Sequence, residues 1–250
     1  MFGRYAQRER RRLHPGGGTA ALALLVLLAG CGTTEAAPPS APAPPPITAP
    51  PSVPTPAAGV VFAEEFDGDR LDPARWTAPD RPDLIFQRDG GLHLVVTPED
   101  TADGVEAALN PTPTASFREL AFTLAVPEFG ESGPGGPAVV VRQASGRHHE
   151  LAFGPSGGGL EAVALVCGRP ECTTYEDFTA PATSAGFERG EVVPARIVQE
   201  GPVVRFFVRD QLVGQTAADD GSPLTGFDIE LYGADGESWH VVLDALRLSA

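Results

Sequence analysis

The sequence predicts an all-β fold, an antiparallel β-sandwich, over residues 59–250. Three observations indicate it. Apolar and polar residues alternate along most of this region, as they do in strands that bury one face. Short groups of glycine, proline, aspartate and other turn-forming residues separate the alternating segments. No long segment has the apolar spacing of an amphipathic helix, so about a dozen short strands are expected to pack as two sheets.

Two hairpins are the clearest of these elements. The first turns at Asp89 and Gly90, which tolerate positive φ, and the second turns at Gly201 and Pro202. Only residues 73–76 indicate a helical turn. In chain order, strands are predicted at residues 60–66, 84–86, 92–96, 120–126, 138–143, 149–153, 160–166, 195–199, 203–209, 212–216, 227–232 and 239–248.

Residues 1–30 have the three parts of an export signal: a basic start, an apolar stretch at 19–28, and small residues before Cys31. The apolar stretch is half of the roughly 20 residues that a membrane-spanning helix needs. The run Leu28-Ala29-Gly30-Cys31 resembles the lipobox of bacterial lipoproteins. That resemblance implies cleavage before Cys31, lipidation of its thiol, and a membrane anchor on the extracytoplasmic face. A plain secretory signal or a permanent membrane span are the alternatives.

Residues 31–58 are rich in alanine, proline, serine and threonine and carry one charge, at Glu35. The segment has no apolar periodicity to bury, which predicts a disordered tether. Proline favours the extended polyproline II conformation, which gives a reach of up to roughly 80 Å at about 3.1 Å per residue.

Cys167 and Cys172 are left to pair with each other if Cys31 carries lipid. Glycine and proline lie between them and favour a turn, so a short disulfide loop is predicted for an exported domain. The alternative is a zinc site that also uses His148 and His149. Structural zinc needs four ligands, however, and adjacent residues on a strand point to opposite faces.

The folded region is strongly acidic. Residues 60–250 contain 31 Asp and Glu against 13 Arg and no Lys, a net charge of −18. Nucleic acid and anionic membrane surfaces are therefore poor partners, because both are bound through clustered positive charge. Divalent cations suit such a surface better, although an acidic surface also serves simply to keep an exported protein soluble.

Both ends of the region carry a family resemblance. The start, Glu65-Phe66-Asp67-Gly68, then Leu71-Asp72-Pro73 and Trp76, is similar to the opening of concanavalin A-like jelly-roll domains, including laminarinase-type glycoside hydrolases. Residues 239–248 are similar to the closing strand of that superfamily, with Asp244 before its last alternating residues. The resemblance implies a jelly-roll sandwich with Trp76 in its core. This fold carries lectins, hydrolases and lyases alike.

The enzymes of this family carry Glu-x-Asp-x-x-Glu on one central strand, and the chain shows no such motif. The nearest approximation, Asp228-Ile229-Glu230, has two acids in the reverse order, and we expect both to face solvent. His148, His149 and Glu150 are expected to form the polar start of a strand. No nucleophile elbow or phosphate-binding glycine loop is present in the sequence.

The sequence therefore favours a non-catalytic binding module with carbohydrate as its ligand. The candidate ligand-binding residues are Tyr175, Tyr232, Arg118 and Arg142, because tyrosine stacks on sugar rings and arginine hydrogen-bonds hydroxyl groups. No cofactor is required, but the resemblance implies a structural calcium site at Glu65 and Asp244. The alternatives are a glycan-active hydrolase or lyase with relocated acids, and a protein-interaction or structural component of the envelope.

Overall fold

A computed structural model of the chain describes residues 59–112, 115–130, 135–156, 159–167, 184–218 and 221–250. Within these ranges the regular secondary structure is almost entirely strand, which confirms the all-β prediction, and no helix there is long and apolar enough to cross a membrane. The predicted signal peptide, the tether, Cys31, Cys172 and the side chain of Cys167 lie outside the described set. The lipid anchor and the disulfide therefore stay predictions.

The elements follow one another in a simple order. A short helix, α1, covers Pro98–Thr101. The strands are β1 Val60–Glu64, β2 Ile85–Arg88, β3 Gly91–Val96, β4 Val105–Leu109, β5 Glu119–Phe129, β6 Gly135–Gln143, β7 His148–Ser156, β8 Gly159–Cys167, β9 Ala185–Phe187, β10 Val193–Glu200, β11 Val203–Val208, β12 Gln211–Ala217, β13 Leu224–Gly233 and β14 Trp239–Ser249.

The strands form two antiparallel sheets. The eight-stranded sheet has the order β12-β11-β10-β5-β14-β3-β2, with β1 also paired to β14, and the six-stranded sheet has the order β4-β13-β6-β7-β8-β9. Several neighbours are far apart in the chain, such as β5 beside β14 and β13 beside β6. The chain therefore passes repeatedly between the sheets, as in a jelly roll.

Both predicted hairpins are confirmed. The β2–β3 turn places Asp89 at φ 52° and Gly90 at φ 78°, the left-handed region that a two-residue hairpin turn requires. The β10–β11 turn uses Gly201 at φ 56° and Pro202. Local turn chemistry was sufficient to place both, because it depends on neighbouring residues alone.

The core lies between the sheets and follows the predicted alternation. In β5 the residues Leu120, Phe122, Leu124 and Val126 are buried, while the residues between them are half-buried. Apolar side chains that alternate in this way from facing sheets fill the interior of a sandwich. The predicted pattern thus identified the buried face of the long strands correctly.

Trp76 holds the N-terminal motif onto this core. It is 2% exposed, and its ring centroid lies 5.8 Å from that of Phe66 and 5.7 Å from that of Phe62. Its Nε1 donates to Glu64 Oε2 at 3.1 Å. The helical turn predicted at residues 73–76 ends at Trp76, whose N donates to Asp72 O at 2.9 Å. The role that the resemblance implied for Trp76 is confirmed.

Two strands and the helix were not predicted. β4 contains two alanines and β9 is three residues long with a central glycine, so neither has a strong strand pattern. Helix α1 depends on a capping box between Thr97 and Asp100 rather than on apolar periodicity. The two strands thus depend on their neighbours in the sheet, and the helix depends on its cap.

Gly136 in β6 offers a test of this packing. Its φ is +134°, and a Cβ at this position would lie 1.8 Å from the carbonyl oxygen of Phe153 and 3.3 Å from the Trp239 ring. Gly136→Ala should lower the free energy of unfolding by about 3 kcal/mol or more, because strain and overlap add. Urea denaturation measures this change.

Gly226, on the neighbouring strand β13, is the matched control. An added Cβ there meets nothing within 4 Å and no positive φ opposes it. Gly226→Ala should change the unfolding midpoint little. Equal midpoints for the two variants would show that the close approach at Gly136 is not a constraint.

Candidate ligand-binding face

The six-stranded sheet carries charged side chains on the face that points away from the core. Strand alternation places them there, because their neighbours Val141, Leu151 and Ile229 are buried in the core. Cross-strand pairing then brings them together from three adjacent strands, β6, β7 and β13. We call this group the polar face; it consists of Arg142, His148, Glu150, Asp228 and Glu230.

Register fixes the arrangement. Arg142 lies directly opposite His148, and Asp228 and Glu150 lie on either side of Val140. Glu230 follows Asp228 by two residues and so projects from the same side of β13. Three acids and one arginine are therefore adjacent on one surface.

Arg142 is the centre of the polar face. Its guanidinium forms an ion pair with the carboxylate of Asp228, and its Nη2 lies 4.0 Å from Glu230 Oε1. The Asp228 side chain is 5% exposed, whereas that of Arg142 is 40% exposed. Burial lowers the pKa of Arg142, and the charge of Glu230 acts in the opposite direction. One cation thus faces two acids and keeps an open edge toward solvent.

The expectation that Asp228 and Glu230 both face solvent is wrong for Asp228. The two residues do point away from the core, as alternation predicted, but Asp228 is 4% exposed and Glu230 is half-buried. The reason is the ion pair across strands, since Arg142 lies against both carboxylates. No local pattern in the sequence links β13 to β6.

The two adjacent histidines separate to opposite faces. His148 belongs to the polar face, and burial, aided by the charge of Arg142, lowers its pKa to about 4. His149 is buried in the core, with its Nε2 3.1 Å from Gln143 Oε1. A zinc site that uses both imidazoles is therefore excluded by geometry. Among the described residues, no three His, Cys, Asp or Glu side chains converge on a point that would hold a metal ion.

Glu150 lies on β7, a central strand of this sheet, and was not proposed as a site residue from the sequence. Counted from Glu150, the glycosidase pattern Glu-x-Asp-x-x-Glu would place acids at positions 152 and 155. The chain has Ala152 and Pro155 there. Only the alternation of Glu150 with buried Leu151 hinted that this carboxylate points out of the core.

A small apolar strip borders the polar face. Ala138, Ala152 and Leu165 form a buried cluster apart from the main core, with Val163 packed against it. These residues come from β6, β7 and β8 and lie on the same side of the sheet as the polar face. The ion-paired groups thus lie beside buried short apolar side chains, and Val163 is the partly exposed residue packed on them.

Two of the predicted ligand-binding residues share this side of the sheet. Tyr232, half-buried, follows Glu230 by two residues on β13 and pairs with Gly136. It lies about 20 Å along the strand from the level of Arg142, at about 3.4 Å per residue. Arg118 is not on this face. It directly precedes β5 in the chain, and its Nη1 donates to Gly221 O at 3.2 Å. Tyr175 lies outside the described residues.

The two residues predicted to bind calcium lie at the neighbouring strands β1 and β14, but their side chains do not contact each other. Glu65 follows β1, and its Oε1 accepts from Arg247 Nη2 at 2.7 Å. Asp244 is exposed where the register of β14 against β5 shifts between Leu243 and Ala245. The calcium site stays a prediction, with an arginine already on one of its two carboxylates.

The fold is similar to solved structures of enzymes that act on glycans. A LamA variant from Zobellia galactanivorans, in complex with laminaritriose and laminaritetraose, has a TM-score of 0.55 at 13% identity, over 78% of this chain and 100% of that chain. The catalytic domain of an endo-1,3-β-glucanase (laminarinase) from Thermotoga petrophila has a TM-score of 0.53 at 12% identity, over 77% and 98%. An endo-β-galactosidase from Clostridium perfringens has 0.54 at 13% identity, over 79% and 64%.

These similarities confirm the predicted fold, an antiparallel jelly-roll β-sandwich like that of the laminarinase structures. At such low identity they show the fold alone. No family model matches the chain, and a search of curated proteins gives no match.

His148 predicts a dependence of stability on pH. Its pKa is about 4 in the folded chain against 6.5 for an ordinary histidine, so the unfolded chain binds the proton more tightly. The contribution of this group to the free energy of unfolding is complete above pH 6.5. It is lost as pH falls toward 4, by at most about 1.4 kcal/mol per pH unit. Urea midpoints between pH 6.5 and 4.5 measure the slope.

His148→Gln should flatten that slope, because glutamine has no proton to gain. Carboxylates titrate in both proteins, so the difference between the two slopes isolates the histidine. Identical slopes would contradict the burial of a neutral imidazole at this position.

Proposed function

We propose that the chain is a membrane-anchored extracytoplasmic lipoprotein whose β-sandwich binds carbohydrate at the polar face without cleaving it. One observation carries this proposal. The sequence contains no Glu-x-Asp-x-x-Glu run, and on the central strand β7 Glu150 is followed by Ala152 and Pro155 instead of the two acids that such a run would need. The remaining acids of the face, Asp228 and Glu230, lie against Arg142.

Hydrolysis of a glycoside needs two carboxyl groups with different tasks, one as acid and the other as nucleophile or base. Arg142 contacts both carboxylates of β13, so neither is an unpaired acid. Glu150 is 7% exposed and lies two strands from Asp228, about 9.5 Å between Cα atoms at the usual strand spacing. This arrangement supports recognition more than proton transfer.

The same groups suit a sugar. Arginine presents several fixed donors and carboxylates present acceptors, which together match neighbouring hydroxyl groups on a pyranose ring. Val163, which is half-buried and packs on the cluster of Ala138, Ala152 and Leu165, provides an apolar contact for its C–H side. Binding sites commonly combine apolar lining with a few placed polar groups. Tyr232, farther along β13, extends the surface in the direction of a longer oligosaccharide.

A glycan-active enzyme is the second candidate, since three carboxylates share one face of the sheet. It would require Glu150 to act with an acid from β13. The third candidate, a protein-interaction or envelope component, has no sugar ligand. The three differ in what a glycan screen and a turnover assay show.

Glycan binding tests the proposal directly. The full chain is expected to bind members of a glycan array that includes laminari-oligosaccharides, and to release no reducing ends from any glycan it binds. Arg142→Ala should weaken binding at least about tenfold, because a charge-assisted contact and the pairing of two acids are lost. Calorimetry on the array hit measures the affinity.

Arg205→Ala is the matched control, since Arg205 is a half-buried, ion-paired arginine on the other sheet. It should bind the glycan as the unchanged chain does. Turnover that disappears in Glu150→Gln would establish the enzyme instead. Absence of any glycan hit would favour the interaction component.

The anchor is tested separately. Mass spectrometry of the mature chain should show an amino-terminal Cys31 that carries a diacylglyceryl group, and the chain should sediment with membranes. Cys31→Ser should remove the lipid and release the protein, because stable attachment depends on the acyl chains. An unmodified Cys31 within an intact amino terminus would reject the anchor and leave the glycan proposal unaffected.

A further inference from the structure

Two histidines face each other on the outer surface of the eight-stranded sheet, far in the fold from the polar face. His93 lies on β3 and His240 on β14, and the two strands pair directly. Their rings stack at 5.3 Å between centroids with an angle of 28°, and His93 Nδ1 lies 3.0 Å from His240 Nε2. Both side chains are half-buried and border solvent.

The hydrogen bonds define the proton positions. His93 Nε2 lies 3.0 Å from the carbonyl oxygen of Arg88, which can only accept, so Nε2 carries the ring proton. In the neutral ring Nδ1 is then an unprotonated acceptor. It faces His240 Nε2, which donates to it. A bare imidazole nitrogen is thus held in a fixed direction toward a second imidazole.

The ring of His93 is held from several sides. It stacks on Phe86 at 5.5 Å with an angle of 3°, in addition to its contact with His240. The bond to Arg88 O comes from the tight β2–β3 hairpin. Histidines that bind metals usually donate their second ring N–H to a carbonyl or carboxylate in this way, which fixes the tautomer and the ring orientation.

We infer that His93 Nδ1 and His240 Nε2 bind a divalent transition-metal ion of the zinc class. Two nitrogens on one tetrahedral zinc, each at about 2.0–2.1 Å, lie about 3.3 Å apart, so the separation of Nδ1 and Nε2 needs to grow by only a few tenths of an ångström, while the rings turn until both lone pairs point at the metal. On binding, the proton of His240 passes from Nε2 to Nδ1 through solvent. Imidazole ligands select zinc, copper or nickel over calcium and magnesium.

The carboxylate of Glu128 is the nearest further ligand. Glu128 pairs with His240 across β5 and β14, and its charge acts on that ring. Its Oε1 now accepts from Ser238 Oγ at 2.7 Å. Since no three such side chains already converge in the described ranges, the site consists of two imidazoles, water, and Glu128 after a change of rotamer.

Zinc titration of the full chain, freed of metal with a chelator, tests the inference. Calorimetry should show one zinc ion bound per chain at this site. His93→Gln and His240→Gln should each weaken that binding at least about tenfold, whereas His148→Gln, on the other sheet, should leave it unchanged. No zinc binding by the unchanged chain, or equal affinity in all variants, would overturn the inference.

A second measurement needs no variant. In nuclear magnetic resonance spectra of the unchanged chain, zinc should shift the imidazole nitrogen signals of His93 and His240 and leave those of His149 in place. Binding elsewhere would move other signals only, and that result would equally overturn the inference. Neither experiment depends on glycan binding, so the two proposals fail separately.

Discussion

The pairing of β14 is the constraint on which the rest of the sandwich depends. One side of this eleven-residue strand hydrogen-bonds to β5 along its length, and the other side pairs first with β3 and then with β1. β14 therefore joins β1, the first strand of the described residues, and β5, from the middle of the chain, in one sheet. Its inward residues, from Trp239 to Leu248, also close the core against the six-stranded sheet.

Because β14 is central, it determines both outward surfaces described above. On its own sheet it places His240 beside His93. Trp239 of β14 also lies next to Gly136, where an added Cβ would be 3.3 Å from its ring, and the lack of a side chain there lets β6 pass close to β7. β6 then carries Arg142 to its position between His148 on one neighbour and the β13 acids on the other. The geometry of the polar face on the six-stranded sheet thus depends on packing by β14 of the eight-stranded sheet.

Local patterns in the sequence predicted a large part of the fold. Alternation identified the buried face of β5, and the Asp89-Gly90 and Gly201-Pro202 turns predicted two hairpins. Strand β4 was missed because its two alanines give little strand preference. The ion pair of Arg142 with Asp228 could not be predicted, because it depends on which distant strands become neighbours and in which register. The chemistry of Tyr232 and Arg142 predicts both as ligand-binding residues, but only the fold shows that they lie on the same side of the sheet.

The meeting of β1 with the end of β14 has a mechanical consequence. Gly59 O accepts from Ala250 N at 3.1 Å, and Val60 pairs with Ser249, so the described chain begins beside its own end. A pull transmitted through residues before 59 enters the domain at this point and acts first on the short β1–β14 ladder. Directly behind it lie Phe62, Phe66 and Trp76. Tension that peels β1 away would therefore open the aromatic end of the core before it disturbed the polar face on the other sheet.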